Sequence, residues 1–283
     1  MPMLTRASNI IRNLSGLLGT FHGVLGSILL VLMVLVVVFG PQIAPRSPTQ
    51  FYFEHRLEAP SLEFPMGTDQ FGRDIFSRVI IGARESILFG VLSTILGTLL
   101  GLIIGIFSGY VGGLADDIIM RLLDAIMAIP TLLLAMLVVA VLGPSQFNAI
   151  LAVALSTWPG MARVARSTTL DARTQDYVAA ARARGENQLY IMFSEVLPNT
   201  VAPVIVEGSI RMAFAIMLGA SLSFLGLGAQ PPSSDWGLMA SQARTYLFKA
   251  PWMTFGPSLG IALSALGFNL FGDGLRDALN PHL

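Results

Sequence analysis

The 283 residues carry 54% hydrophobic and only 12% charged side chains, with a formal net charge of 0. A soluble domain usually has about 25% charged residues, so this chain has too little polar surface to face water and reads as a membrane protein. The neutral balance argues against a nucleic-acid partner, and the absence of cysteine excludes disulfides, thiolate chemistry and cysteine metal sites.

Crossing a bilayer as a helix takes about 20 mostly apolar residues. The first candidate span runs at about 22–41, uncharged from Val24 to Phe39, and reads as an anchor rather than a removed signal peptide. Further spans are expected at about 86–108, 118–142, 147–166, 203–226 and 252–272. Six spans place both termini on one side. Arg6 and Arg12 precede the first span, and Arg163, Arg166, Arg173, Arg182 and Arg184 fall between the fourth and fifth. The positive-inside rule makes that side cytoplasmic. The first outer loop opposes the rule with Arg46, Arg56, Arg73, Arg78 and Arg84.

Inside these segments the details differ. Gly97, Gly101, Gly105 and Gly109 recur every fourth residue and give the second span one small face for close helix packing, with sliding as the alternative use. Gly112-Gly113 with Asp116 and Asp117 forms a tight polar turn, and two adjacent acids make a poor metal site. Pro130 and Pro159 are expected to kink or break spans three and four. Glu207 and Arg211 stand four apart with the acid first, the favourable order for a helical pair. Their position predicts the cytoplasmic boundary, with a gate or substrate path as the alternative. Arg121 and Asp124, three apart, are read the same way.

Two turn-rich motifs fall outside the spans, Met66–Asp74 and Gly226–Pro232 followed by Asp235-Trp236-Gly237, and both read as ordered, capped loops. Gly272-Asp273-Gly274-Leu275-Arg276-Asp277 reads as the start of a polar tail after the last span.

One short polar helix stands out between spans four and five. Asp176 suits the positive start of a helix, and Arg182 and Arg184 its negative end. Gly185 suits the left-handed position that stops it. A helix of roughly nine residues is marginal alone in water. Ala179, Ala180 and Ala181 let another backbone approach, so Asp176, Tyr177, Val178, Ala179, Ala180, Ala181, Arg182 and Gly185 read as a contact for a partner protein.

Other chemistry finds little support. The single lysine, Lys249, follows Phe248, so no phosphate-binding loop exists. His22, His55 and His282 lie far apart, which leaves a histidine metal site or a catalytic triad without a basis. A membrane hydrolase would need a nucleophile with a base in reach. A self-sufficient secondary carrier or channel would show internal repeats and coupling acids at mid-membrane; no clear repeat is present, and Glu207 reads as too near one end.

The chain resembles the inner-membrane permease subunits of dipeptide, oligopeptide and nickel-class ABC importers. The likeness is carried by Gly67-Thr68-Asp69 with Gly72-Arg73-Asp74, by Gly109–Gly113 leading to Met120–Asp124, by Ser223–Pro232 and by Phe268–Leu279. It covers the chain from about residue 65 onward, whereas the first 60 residues match only in having an anchor span. Such permeases carry a signature of Glu-Ala-Ala, three residues, glycine, and later Leu-Pro. Here Ala179-Ala180-Ala181, Gly185 and Leu197-Pro198 align with it, and Ala179 stands where the family has glutamate. The resemblance implies an all-α membrane protein of six transmembrane helices, the transmembrane domain of a type I ABC importer. A coupling helix at 176–185 would seat in an ATPase groove. Residues 1–65 would form a tail, anchor span and loop start, and 66–283 the permease core. The implied partners are a related permease, two ATPase subunits that bind the ATP, and an extracytoplasmic binding protein; this chain would hold no cofactor of its own. Dipeptides, longer peptides, glutathione, nickel chelates and opine-like solutes all remain open as cargo.

Overall fold

A computed structural model describes residues 19–279, so Arg6, Arg12 and His282 lie outside the described residues. Every regular element among them is helical, apart from an isolated antiparallel bridge between Thr68 and Asp74. In chain order the helices are α1 (Phe21–Ile43), α2 (Ile75–Val111), α3 (Gly113–Met127), α4 (Thr131–Leu142), α5 (Gln146–Ala172) and α6 (Asp176–Ala183). The next, α7, is continuous over Gln188–Phe224, with one π-helical stretch at Ile191–Val196. Two more follow, α8 (Trp236–Ala243) and α9 (Trp252–Leu279).

Helices α1, α2, α7 and α9 are each long and apolar enough to cross a membrane, and α3 with α4 makes a fifth such segment bent by 89°. The expected 118–142 span is thus broken. Pro130 lies at the start of α4, and the residue before a proline is driven out of helical geometry. The 147–166 segment lies in α5, which is not among these apolar helices. Ser156, Thr157, Gly160 and Arg163 dilute its hydropathy. Much of its apolar surface is turned inward, with Ala149, Val153, Met161 and Ala165 buried, although Phe147 and Leu155 are exposed. Pro159 lies within the continuous helix.

Helices α2, α5 and α7 form the centre, with α1 and α9 on one flank and α4 on the other. The glycine row of α2 faces α5. A Cβ at Gly101 would lie 2.5 Å from the Cβ of Met161 and 2.8 Å from the Ala162 nitrogen, and one at Gly109 would lie 2.9 Å from the Arg166 carbonyl. The row therefore serves backbone-to-backbone packing, where small residues set the helix separation. The C-terminal glycine motif differs from the surface tail expected. It lies inside α9, and Gly272 packs on α7, where a Cβ would stand 2.7 Å from Ile210 Cγ1.

Candidate functional site: an anchored polar helix at one end of the bundle and a polar lock at the other

α6 starts at Asp176, and its last turn closes with paired bonds. Gly185 N donates to the Arg182 carbonyl at 3.0 Å and Glu186 N to the Ala181 carbonyl at 3.3 Å. Gly185 has φ +79°, the left-handed geometry this closure demands. The helix meets the bundle through Val178 and Ala181, both fully buried. One turn apart, they share a face. They enter a socket of Ile106 and Tyr110 from α2, Ala172 from α5, and Ile191, Met192 and Val196 from α7. Tyr177 covers the edge half-buried, and its phenol is pushed up from its ordinary value by burial first and the charge of Glu195 second.

The other face of α6 is open: Asp176, Ala179, Ala180 and Arg182 are all exposed. The position where the resemblance puts a family glutamate, Ala179, is on this open face. Arg182 lies with its guanidinium 5.7 Å from the centre of the Tyr110 ring. Arg184 pairs with Glu195 of α7 at 3.3 Å. Seven of the eight predicted residues therefore lie in α6, with Val178 and Ala181 as its anchor, and Gly185 closes it just beyond its C-cap. Leu197 packs at the border of the socket, and Asn199 Nδ2 donates to the Glu195 carbonyl at 2.7 Å.

The socket and a nearby clamp were not singled out by the sequence. Asp116, in the first turn of α3, is buried and accepts from Arg166 of α5 through Nε at 2.6 Å and Nη2 at 2.5 Å, and also from Ser108 of α2. This ties three helices together beside α6. Arg173 adds a bond from Nη1 to the Gly109 carbonyl at 2.9 Å. The tight turn at Gly112 and Gly113 does occur, with φ +69° and +60°.

At the other end the two loop motifs close on each other. Asp69 accepts from Arg73 Nε at 2.6 Å and Arg78 Nη1 at 2.7 Å, and all three side chains are buried. Arg78 reaches on to the Ser233 carbonyl at 3.0 Å, and Arg73 to Gln242 at 3.3 Å. Asp74 caps α2 through the Ser77 nitrogen, and Asp235 caps α8 through the Leu238 nitrogen, as the capped-loop reading expects. Ser86 donates to Asp235 at 2.7 Å, and Trp236 Nε1 to the Val79 carbonyl at 2.9 Å. Gly72, at φ +77°, is irreplaceable, because a Cβ there would strike the Tyr52 carbonyl.

The Glu207–Arg211 pair forms, at 2.8 Å. It lies inside a helix longer than the expected 203–226 segment. α7 begins well before residue 203, so Arg211 lies at the middle of Leu197–Phe224. Its guanidinium covers Gly160 of α5, where a Cβ would stand 2.8 Å from Nη2. Among the described residues no three His, Cys, Asp or Glu side chains gather as a metal site would require.

Residues 101–283 match the family model of the binding-protein-dependent transport system inner membrane component. The chain belongs to this family. Residues 23–60 also match the N-terminal TM domain of oligopeptide transport permease C, so the likeness begins well before residue 65. The chain is 42% identical over 258 residues to the probable D,D-dipeptide transport system permease protein DdpC of Escherichia coli (strain K12), covering 91% of this chain and 87% of that one. It is 42% identical to the di/tripeptide transport system permease protein DppC of Pseudomonas aeruginosa (strain UCBPP-PA14), at 92% and 88% coverage. The glutathione transport system permease protein GsiD of Pectobacterium atrosepticum is also 42% identical, at 93% and 88%. The protein is thus an inner-membrane, multi-pass permease of an ABC importer, not an enzyme, and a separate ATPase, a partner permease and a substrate-binding protein complete such systems.

Proposed function

We propose that this permease forms half of the path for short peptides in an ATP-driven importer, with a related permease as the other half. α6 is its coupling helix. Two ATPase subunits bind the ATP and dock on the cytoplasmic face, one coupling helix each. α5 completes six spans, both termini are cytoplasmic, and 66–283 is the core to which 1–65 is appended. The loops at 42–84 and 227–251 face the binding protein.

The observation that carries this reading is the division of α6: one face fixed in the bundle by Val178 and Ala181, the other free and small. Such a stub transmits force without needing to fold on contact. ATP binding would change the grip on α6 and bias the bundle between inward-open and outward-open arrangements. Peptide cargo is supported by the dipeptide, di/tripeptide and glutathione names of the relatives.

Replacing Ala180 with tryptophan tests the docking. Ala180 is exposed, so the permease should fold within about 0.5 kcal/mol of the parent. ATPase co-purification should be lost. Retained association at parental levels would remove α6 from the interface. Uptake of radiolabelled dialanine by proteoliposomes holding the full complex, with and without ATP, tests the cargo.

A further inference from the structure

The exposed side of α3 is divided lengthwise. Asp117, Arg121 and Asp124 recur at i, i+4 and i+7 along one edge, and all are exposed. Along the other edge Ile118 and Leu122 are 53% and 60% exposed and apolar. A helix in a membrane protein that shows both characters has hydrocarbon on one side and water or protein on the other.

The charged edge continues onto its neighbours. Arg163 of α5 pairs with Asp124. On α5, Ser156, Gly160 and Ser167 lie on the Arg163 side, with half-buried Leu170 two turns along the same face. Arg211 of α7 lies over Gly160, and its partner Glu207 stands one turn away. The Glu207 and Arg211 side chains remain 31% and 28% exposed although the pair sits at the middle of its helix. Surfaces suited to lipid look different: on α4, Leu133, Leu137 and Val141 form the outward row.

We propose that this face of α3, α5 and α7 is the wall of the water-filled substrate path, and that it takes zwitterionic solutes by exchanging its ion pairs for their terminal ammonium and carboxylate. This rests on the peptide-importer reading. The wall holds the acids Asp117, Asp124 and Glu207 and the bases Arg121, Arg163 and Arg211, so the signs balance. A solute of one sign meets as many like charges as opposite ones. A peptide main chain presents one of each, and both ends can find partners while the freed wall charges pair with each other's neighbours.

The test uses the assembled complex in proteoliposomes. The chain has no cysteine of its own, so Ser156→Cys, Ser167→Cys and, as lipid-side controls, Ile118→Cys and Leu137→Cys each give this chain a single thiol. A charged methanethiosulfonate attacks the thiolate, which needs water around it. The wall thiols should react at least roughly tenfold faster than the controls in one of the nucleotide-free or ATP-bound states. Equal rates in both states overturn the wall. Should the cysteine variants fail to assemble, Glu207→Gln serves. Its assembled complex should take up dialanine at least roughly tenfold more slowly at limiting substrate, the size expected for one lost charge-assisted contact, and parental uptake overturns the proposal. A parental complex without ATP-dependent dialanine uptake sinks the importer reading itself; parental uptake with unreactive wall thiols sinks only the wall.

Discussion

At one end of the bundle Asp69, Arg73, Arg78, Ser86 and Asp235 are buried or nearly so, and each has a side-chain hydrogen bond within the lock, Arg73 through Asp69 and Gln242 of α8. At the other end α6 holds on by two small apolar side chains and leaves its remaining face to solvent. Both regions carry the same kind of sequence signal: glycine, aspartate and arginine in a short run. The difference lies in how far the polar groups are satisfied within the chain. The first region pairs most of its buried charges within the chain, although Arg78 Nε and Asp74 Oδ1 are left without a partner. The second leaves Asp176, Ala179, Ala180 and Arg182 exposed to solvent.

That contrast can be broken most forcefully at Asp69. Replacing it with alanine strands two buried guanidinium groups, and removing one partner of a buried pair costs about 3–5 kcal/mol. Thermal unfolding in detergent should show the loss, and Arg73→Met together with Arg78→Met should recover part of it. An Asp69→Ala protein of parental stability would mean that the lock does not hold this end closed. Next in size is Ala181→Leu. The site is fully buried against Tyr110 and Ile191, so overpacking should cost about 1–3 kcal/mol. The same change at exposed Ala180 should leave unfolding within about 0.5 kcal/mol. Similar costs at the two positions would contradict the two-faced description of α6. Gly185→Val comes third. Nothing lies within 4 Å of a Cβ there, so the expense is only backbone strain of roughly 1–2 kcal/mol. Fraying confined to α6 and weaker ATPase association should follow, with membrane insertion intact. Smallest is Glu195→Gln, which removes an exposed pairing with Arg184 and should change stability by less than about 1 kcal/mol.

Much of α6 was legible because its signals are local. Asp176 and Gly185 bracket the helix to within two residues of its observed end at Ala183, and Pro130 marks the break in the 118–142 segment. The lock was legible only in halves. Arg78 and Ser233 meet across 155 positions, and no short-range pattern encodes such a meeting. The length of α7 was underestimated because apolar content begins near residue 203, whereas its backbone stays helical back through polar Asn199 and Gln188. Gly272 and Gly274 were read as turn formers; in α9 they are buried, and Gly272 is a thin spot against Ile210 of α7. Glycine alone does not distinguish those uses. The socket residues Ile106, Ile191 and Met192 carry no mark of their own in a chain so rich in aliphatic side chains.

The unbroken course of α7 has a mechanical corollary. Ile191, Met192 and Val196 grip the stub at its foot, and Arg211 stands farther along the same rod. At about 1.5 Å per residue, the stretch from Gln188 to Arg211 is roughly 34 Å of helix. The sole departure from regular winding is the π-helical stretch at Ile191–Val196, beside the socket. A tilt at the foot that this wide coil does not absorb swings the charged pair sideways like the far end of an oar, so the coil acts as the rowlock that sets how much of a tilt reaches Glu207 and Arg211.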